Sequence, residues 1–240
     1  MSYRALLRSD IRHLAKDPML MACLFGPLAI IAFARYAFWP LAEWVKEQYA
    51  FDLTAYTGFV AFVLLTTIPL LTGVMIGLLM LDERDENLIA YFGVTPLTRR
   101  GYYRYRLLFP SLLALLSSGL YLLASGMTEI RAESVYTLLL LALEAPCIAL
   151  FLVAAADNKV EGLALSKLCG LLFVGPVVAA FVPEPWQMAG MIVPTYWPAK
   201  SYMLGESREP VWSALSFAAG LVYHVLLLKR ADRAFAKRMD

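Results

Sequence analysis

The histidines and cysteines are the residues best suited to nucleophilic or metal chemistry, but their spacing supports neither. His13 lies in a charged N-terminal stretch and His224 in the last apolar run, each far from a candidate nucleophile. Cys23, Cys147 and Cys169 fall inside apolar runs, where a thiol usually behaves as a small buried hydrophobe. The spacing matches neither a metal site nor a disulfide framework. The sequence therefore predicts no catalytic residue and no metal site.

Motifs for nucleotide and hydrolytic chemistry are absent from the sequence. It contains no G-x-x-x-x-G-K-[ST] phosphate-binding loop, no H-E-x-x-H and no G-x-S-x-G. A net charge of +2 is too small to indicate a nucleic-acid partner. We therefore expect a chain that binds no nucleotide or other cofactor itself and binds no nucleic acid.

Glu144 and Lys167 are the ionisable residues inside apolar runs that merit most attention. A charge at the centre of a span costs about 2.5–3.5 kcal/mol on the insertion scale, so Glu144 should face the bundle interior or water, or be protonated. Lys167 lies close enough to the end of its run to reach the interface. For each, a structural role such as a hydrogen bond between helices is favoured over contact with a cargo. Weaker candidates for a polar pathway are Thr66, Thr67 and Thr72.

Long apolar runs must position these side chains. Apolar residues make up 60% of the 240 residues and charged residues 17%, against roughly 45–50% and 25% in soluble domains. A run of about 20 residues crosses the hydrocarbon core as a helix. The sequence therefore predicts an all-α integral membrane protein in which residues 1–240 form a single transmembrane domain. We predict six spans, at residues 19–39, 58–81, 107–125, 135–156, 162–181 and 211–228.

The distribution of lysine and arginine predicts the orientation. With both termini in the cytoplasm, four basic residues precede the first span, five follow the second, one follows the fourth and five lie in the tail, which is fifteen inside. Four lie outside and two within spans. Because basic residues favour the cytoplasmic side, we expect a multi-pass protein of the cytoplasmic (inner) membrane with both termini inside.

The first 18 residues predict a helix in the membrane interface. Apolar side chains occupy one arc of the helical wheel and basic side chains the adjacent arc. Asp10 falls in the apolar arc, which indicates a protein partner there. The alternative is a plain basic flank of the first span. Asp17-Pro18 ends this helix.

The connection after the second span, residues 82–106, is the most informative part of the sequence. It begins as a highly charged turn: Asp82, Glu83, Arg84, Asp85 and Glu86. Bulky apolar residues follow, and the segment closes on Gly93 and Pro96. Exposed apolar groups in a polar loop usually mark a surface for a partner. The alternative is that they dip back into the membrane interface.

The order acidic-Glu-Arg-acidic-Glu, two small residues, an apolar segment and Thr-Pro-Leu resembles the permease subunits of type-2 ATP-binding-cassette (ABC) exporters, most closely the drug-export branch. Lys16-Asp17-Pro18 after the first helix, Asn-Lys-Val-Glu-Gly at 158–162 and Pro-Thr-Tyr-Trp-Pro at 194–198 also resemble that branch. The resemblance covers essentially the whole chain. Asn87-Leu88 depart from the Gly-Thr that the family often has.

The resemblance implies a fold like that of type V ABC exporters, in which two six-span permeases each dock on a separate ATPase subunit. It implies that the two ATPase copies bind ATP and Mg²⁺. It also implies that the loop after the second span is a coupling helix in a groove of the ATPase. The coupling residues would be Glu83, Arg84, Asp85, Glu86, Leu88, Ile89, Tyr91, Phe92, Thr95 and Pro96.

Residues 182–210 match the short re-entrant helices that this family carries between the fifth and sixth spans. The segment is long, apolar and aromatic, with prolines at both ends. Irregular backbone at membrane depth is tolerated only against protein or water. The alternative is an interfacial aromatic belt. The residues of this outer gate would be Trp186, Pro194, Tyr196, Trp197 and Pro198.

The favoured function is ATP-driven export of an amphipathic or lipophilic small molecule from the cytoplasm or the inner leaflet. A homodimer with its pathway between the copies, and with the second and fifth spans nearest the axis, is expected; a heterodimer is the alternative. The nearest rival function is export of a polysaccharide or lipid-linked glycan. A channel or secondary transporter without ATP, and a membrane scaffold, are the other hypotheses. An ATPase encoded next to this chain would favour the first.

Overall fold

The computed structural model of the protein describes residues 3–88 and 98–239, and the regular secondary structure in these two stretches is helical. The predicted all-α class is therefore confirmed. The α-helices are α1 (Tyr3–Leu14), α2 (Pro18–Ala32), α3 (Phe38–Tyr49), α4 (Thr57–Asp85), α5 (Thr98–Ala124), α6 (Ser134–Ala155), α7 (Lys159–Ser166), α8 (Val174–Phe181), α9 (Tyr196–Glu206) and α10 (Pro210–Met239). A π-helical turn at Phe33–Ala37 joins α2 to α3, and 3-10 turns lie at Leu53–Tyr56, Lys167–Phe173 and Trp186–Ile192.

Six helical stretches of the described chain are long and apolar enough to cross a membrane, which confirms the predicted number. They are Pro18–Tyr49, Leu53–Asp85, Gly101–Ala124, Ser134–Ala155, Lys159–Phe181 and Pro210–Ala234. The helices of the first and last spans run beyond the predicted spans, to Tyr49 at the end of α3 and to Met239 at the end of α10. The apolar pattern marks only the membrane-buried part, whereas Glu, Lys, Arg and Ala continue a helix into the polar phase.

Six crossings put both ends of the chain on one side, which we call the terminal face. It carries α1, the ends of α4 and α6, and the starts of α5 and α7. The opposite side, the distal face, carries the connections 50–56, 125–133 and 207–209.

Side-chain caps fix two helix starts at the terminal face. Asp17 Oδ1 accepts hydrogen bonds from the amides of Met19 at 2.8 Å and Leu20 at 3.3 Å, and Pro18 occupies the first helical position. Asn158 Oδ1 accepts from the Glu161 amide at 2.9 Å, while the Glu161 carboxylate accepts from the Asp157 amide at 2.7 Å. This reciprocal pair resembles a capping box and starts α7 immediately after α6 ends.

The second and fourth spans, α4 and α6, form the centre of the bundle. In their most apolar windows 61% and 67% of residues are buried within the chain, against 17–28% in the other spans. A Cβ atom on Gly73 would lie 2.6 Å from the carbonyl oxygen of Ala145, and one on Gly77 would lie 3.0 Å from a Leu152 methyl group. These glycines let the two backbones approach closely, as small residues do in membrane bundles.

The chain folds back against the fifth span between α8 and α10. Thr195 Oγ1 donates to the carbonyl of Leu172, and a Cβ atom on Gly175 would lie 2.5 Å from the Tyr196 amide. Gly175 is six residues before the distal end of α8, so the tip of the segment lies about 9 Å below that end. Helix α9 then runs from this point to the connection 207–209 at the distal face. Re-entrance of residues 182–210 into a membrane stays a prediction.

Candidate coupling site and membrane cavity

A buried ionic cluster at the terminal face joins three helices. Arg106 of α5 donates from Nη1 and Nη2 to Asp10 of α1, with both distances 2.8 Å. Its Nε donates to Glu83 Oε2 of α4 at 3.0 Å, and its Nη2 also donates to Glu83 Oε1. The three side chains are 0–4% exposed. We call Asp10, Glu83 and Arg106, with the two tyrosines described next, the Arg106 cluster.

Two tyrosines add hydrogen bonds to the carboxylates of this cluster. Tyr102 Oη donates to Glu83 Oε2 at 2.6 Å, and Tyr105 Oη donates to Asp10 Oδ2 at 2.8 Å. The guanidinium carbon of Arg106 lies 5.4 Å from the centre of each ring. Buried charges persist only when they are paired and hydrogen-bonded, and these carboxylates meet that condition. The cluster therefore fixes α1 against the ends of α4 and α5 that flank residues 89–97.

A second charged cluster at the same face centres on Lys159. Its Nζ lies 3.0 Å from Asp17 Oδ2 and 2.9 Å from Asp82 Oδ2, and its amide donates to Asp85 Oδ2 at 3.0 Å. Partial burial opposes the charge of Asp17, but hydrogen bonds from Lys159 and two backbone amides outweigh it and hold its pKa below the usual value. This cluster connects the start of the first span to the end of α4 and the start of α7.

Arg84 caps the end of α6. Its Nη1 donates to the Val153 carbonyl at 3.1 Å and its Nη2 to the Ala156 carbonyl at 2.5 Å. A cation at a helix C-terminus satisfies free carbonyls and complements the helix dipole. Each residue from Asp82 to Asp85 thus bonds to another part of the same chain.

The predicted coupling residues divide into three groups. Glu83, Arg84 and Asp85 make intramolecular bonds, and Glu83 is buried, so it presents no surface to a partner in this conformation. Glu86 is exposed, and Leu88 is half-buried against Leu6 and Tyr102. The rest, Ile89, Tyr91, Phe92, Thr95 and Pro96, lie outside the described residues.

The charge of Asp10 in an apolar arc is visible in the sequence, but the residue that pairs with it is not. Asp10 was predicted to meet a protein partner, and that partner is Arg106 of the same chain. Arg106 itself was counted only as a basic loop residue. The available signal was its position one helical turn after Tyr102, directly before the apolar run of α5, where a free arginine would be costly.

Glu144 is fully buried near the middle of α6. Ten residues separate it from Ser134 and eleven from Ala155, so it lies about 15 Å from either end of the helix. Among the described residues neither carboxylate oxygen has a hydrogen-bond partner. Within the described part of the chain Glu144 therefore forms no hydrogen bond between helices, and the choice between a structural role and contact with a cargo stays a prediction. Lys167 is exposed at the start of the 3-10 turn, where α7 ends.

The threonines of α4 lie mostly inside the bundle. Thr66 and Thr72 are buried, and Thr72 Oγ1 donates to the carbonyl of Ile68 in its own helix at 3.1 Å. Thr67 is half-buried and donates to the Val63 carbonyl at 2.9 Å. Thr66 and Thr72 are therefore closed off from any path along the outside of a single chain, whereas Thr67 is not.

A cavity of about 620 Å³ lies between α6, the 3-10 part of the fifth span and α10. Glu144 lines it at mid-membrane depth and Ala154 near the terminal face, which gives a height of about 15 Å. Phe151, Leu168 and Leu171 line it and are exposed, so the cavity opens on the side of the bundle. Its volume falls in the range of small-molecule sites, roughly 300–1,000 Å³.

The residues predicted for the outer gate lie in the segment between α8 and α10. Gln187 organises it, because its side-chain nitrogen donates to the Val182 carbonyl at 2.7 Å and its oxygen accepts from Tyr196 at 3.1 Å and from Lys200 at 2.8 Å. Trp197 Nε1 donates to the Met191 carbonyl at 3.2 Å. Tyr196 and Pro198 are buried, Pro194 and Trp197 are half-buried, and Trp186 is exposed.

Comparisons with known proteins give a family match and two curated relatives. Residues 10–230 match the profile of a family described as "Fluoroquinolones export permease protein Rv2686c-like". Two curated relatives, from two strains of Mycobacterium tuberculosis, are each 27% identical over 237 residues, covering 95% of this chain and 91% of the relative. They are named fluoroquinolones export permease proteins MT2760 and Rv2686c. No solved structure matches the chain significantly.

Proposed function

Because the chain belongs to the Rv2686c-like family of fluoroquinolone export permeases, and is thus a permease of the ABC exporter type, we propose that it exports an amphipathic or lipophilic small molecule. The observation that carries this proposal is the lateral cavity, whose walls are largely aliphatic and aromatic and whose volume suits a drug-sized molecule. A glycan needs many hydrogen-bonding groups, and this lining offers few. The relatives' names add the fluoroquinolones as the first cargo to test.

ATP hydrolysis is assigned to a separate ATPase, which binds ATP and Mg²⁺. One of its two copies docks on the coupling loop of each permease. The anchoring of that loop supports this assignment. Residues 82–85 precede the loop and Tyr102–Arg106 follow it, and the Arg106 cluster joins the two ends. Since the same residues reach α1, α6 and α7, a force on the loop would move these helices as one body.

A second permease copy is assigned to the open side of the fifth span. Leu168, Leu171, Val174 and Phe181 are exposed along that span. The second span offers a narrower contact, because its side chains between Thr57 and Arg84 are buried or half-buried. A homodimer is the commonest oligomer, and a related permease in the same position would give a heterodimer. The terminal face is assigned to the cytoplasm on the fifteen-to-four excess of basic residues.

The function is tested in inside-out vesicles that contain the permease and a P-loop ATPase that copurifies with it. We expect ATP-dependent accumulation of a fluorescent fluoroquinolone, abolished by a substitution in the ATPase phosphate-binding loop. Accumulation that does not require ATP and is abolished by a protonophore would instead indicate a secondary transporter. Absence of ATP-dependent accumulation for any lipophilic probe would overturn the cargo class.

Coupling is tested with the double variant Tyr91→Ala/Phe92→Ala. Burial of one large side chain contributes roughly 1.5–3 kcal/mol, so losing two should weaken copurification of the ATPase by at least tenfold. The matched control is Trp44→Ala/Tyr49→Ala, which removes two exposed aromatic residues at the distal end of α3. Equal copurification and transport in both variants would contradict the docking assignment.

A further inference from the structure

The charged groups of the lateral cavity are placed at its two ends. Glu144 lies at mid-membrane depth, fully buried and lining the cavity. Arg230 lines the cavity from the terminal end of α10, twenty residues after Pro210, and is exposed. Tyr223 and Leu227 line the wall between these levels on the same helix. The other walls are aliphatic, aromatic or thiol-bearing.

The lack of hydrogen bonds to Glu144 among the described residues is unusual for a buried carboxyl group. Buried polar atoms are almost always hydrogen-bonded, and an unpaired ionisable group at the bilayer centre marks a functional site by default. In the described part of the chain both oxygens of Glu144 lack a partner, whereas the carboxylates of Asp10 and Glu83 are fully paired. The bundle therefore can pair buried acids, and it leaves this one unpaired directly behind the wall of a cavity.

The cavity faces one leaflet. Its lining on α6 extends from Glu144, near the middle of the helix, to Ala154 near the terminal face, and Ile192 and Pro194 of the segment between α8 and α10 also line it. The opening lies beside the exposed Leu168 and Leu171, on the side assigned to the second permease copy, so it faces the pathway between the two copies. A molecule that enters this pathway from that leaflet therefore reaches the cavity from the side.

We propose that this cavity is a binding site for amphiphiles that carry an amine cation at one end, with Glu144 as the acceptor for the cation and Arg230 as the contact for an anionic group at the other end. The proposal rests on the proposed export function and adds the recognition chemistry. A cation beside Glu144 would be the hydrogen-bond partner that the described residues do not provide. A rigid ring system would fill the apolar volume between the two charges. Zwitterions about as long as the cavity fit best.

The test compares three probes on the purified full-length permease in nanodiscs. Ciprofloxacin carries a basic amine and a carboxylate, its N-acetyl derivative lacks the basic amine, and its methyl ester lacks the carboxylate. We expect the wild type to bind ciprofloxacin about 10–100-fold more tightly than the N-acetyl derivative, as one charge-assisted hydrogen bond implies. Glu144→Gln should remove that preference, while Arg230→Gln should remove the preference over the ester.

Two further variants separate recognition from folding. Glu206→Gln changes a carboxyl group at the distal face, away from the cavity, and should leave all three affinities unchanged. Leu168→Trp fills the opening and should weaken all three probes together. Persistence of the amine preference in Glu144→Gln would overturn the proposal, as would equal wild-type affinities for the three probes, which would indicate a site for lipid chains.

The outcomes also distinguish this inference from the function it rests on. ATP-dependent transport with no effect of Glu144→Gln on binding would leave the exporter intact and place recognition elsewhere. Absence of ATP-dependent transport in the wild type would remove the proposed function itself.

Discussion

Replacing Arg106 with methionine should destabilise the permease by about 3–5 kcal/mol. Arg106 makes four hydrogen bonds to two carboxylates that are at most 4% exposed, so its removal leaves both Asp10 and Glu83 buried without a cation. Removing one partner of a buried ionic cluster costs about this much, because the remaining charge cannot be solvated. Methionine keeps most of the volume, so loss of packing adds little.

The assay is unfolding in mixed micelles by sodium dodecyl sulfate, followed by circular dichroism, with wild type and variants compared. The triple variant Asp10→Asn/Glu83→Gln/Arg106→Met removes all three charges and leaves amide oxygens to accept from Tyr105 and Tyr102. It should recover stability to within about 2 kcal/mol of wild type, because neutral groups are far cheaper to bury. Arg12→Met, at an exposed position of α1, is the matched control and should change stability by less than about 0.5 kcal/mol.

Two results would refute this reasoning. A loss below about 1 kcal/mol in Arg106→Met would mean that water or lipid headgroups reach the carboxylates, so that the cluster is not closed off inside the protein. A triple variant as unstable as the single variant would mean that the arginine acts through shape rather than through charge.

Three further predictions follow from the packing and topology. Gly73→Val should destabilise the bundle by about 1–3 kcal/mol, since its Cβ would meet the α6 backbone at 2.6 Å, whereas Gly119→Val, with nothing within 4 Å, should be near neutral in the same unfolding assay. Lys237→Cys should react with a membrane-impermeant maleimide only after lysis; labelling in intact cells would contradict the cytoplasmic assignment. Leu171→Cys, in a background without native cysteines, should form a disulfide between two permease copies if the fifth span lies at the dimer axis, and single-copy particles without crosslinking would exclude that interface.

Much of the fold follows from local sequence. The apolar runs are long enough to specify six spans without any knowledge of how the helices pack, because the hydrocarbon core sets the length of each. Asp17-Pro18 and Asn158 mark helix starts for equally local reasons, since a cap bonds to amides only two or three residues away. The motif at residues 82–86 was also identified from sequence, and Tyr91 and Phe92 stay predicted docking residues.

Tertiary structure decided which charges meet. Asp10 and Arg106 are 96 residues apart, and whether they pair depends on the rotation and depth of two helices, which hydrophobicity does not specify. For the same reason the acidic motif, expected to face a partner, turned out to bind its own helices through Glu83 and Arg84. Glu144 shows the converse: its position in an apolar run was plain from the sequence, but only the packing of α6 against the broken fifth span and α10 leaves it without a partner beside a cavity. Local chemistry determines which residues form a helix. The packing between helices determines what each side chain faces, and it depends on small residues such as Gly73 and on the contact of Thr195 with the fifth span.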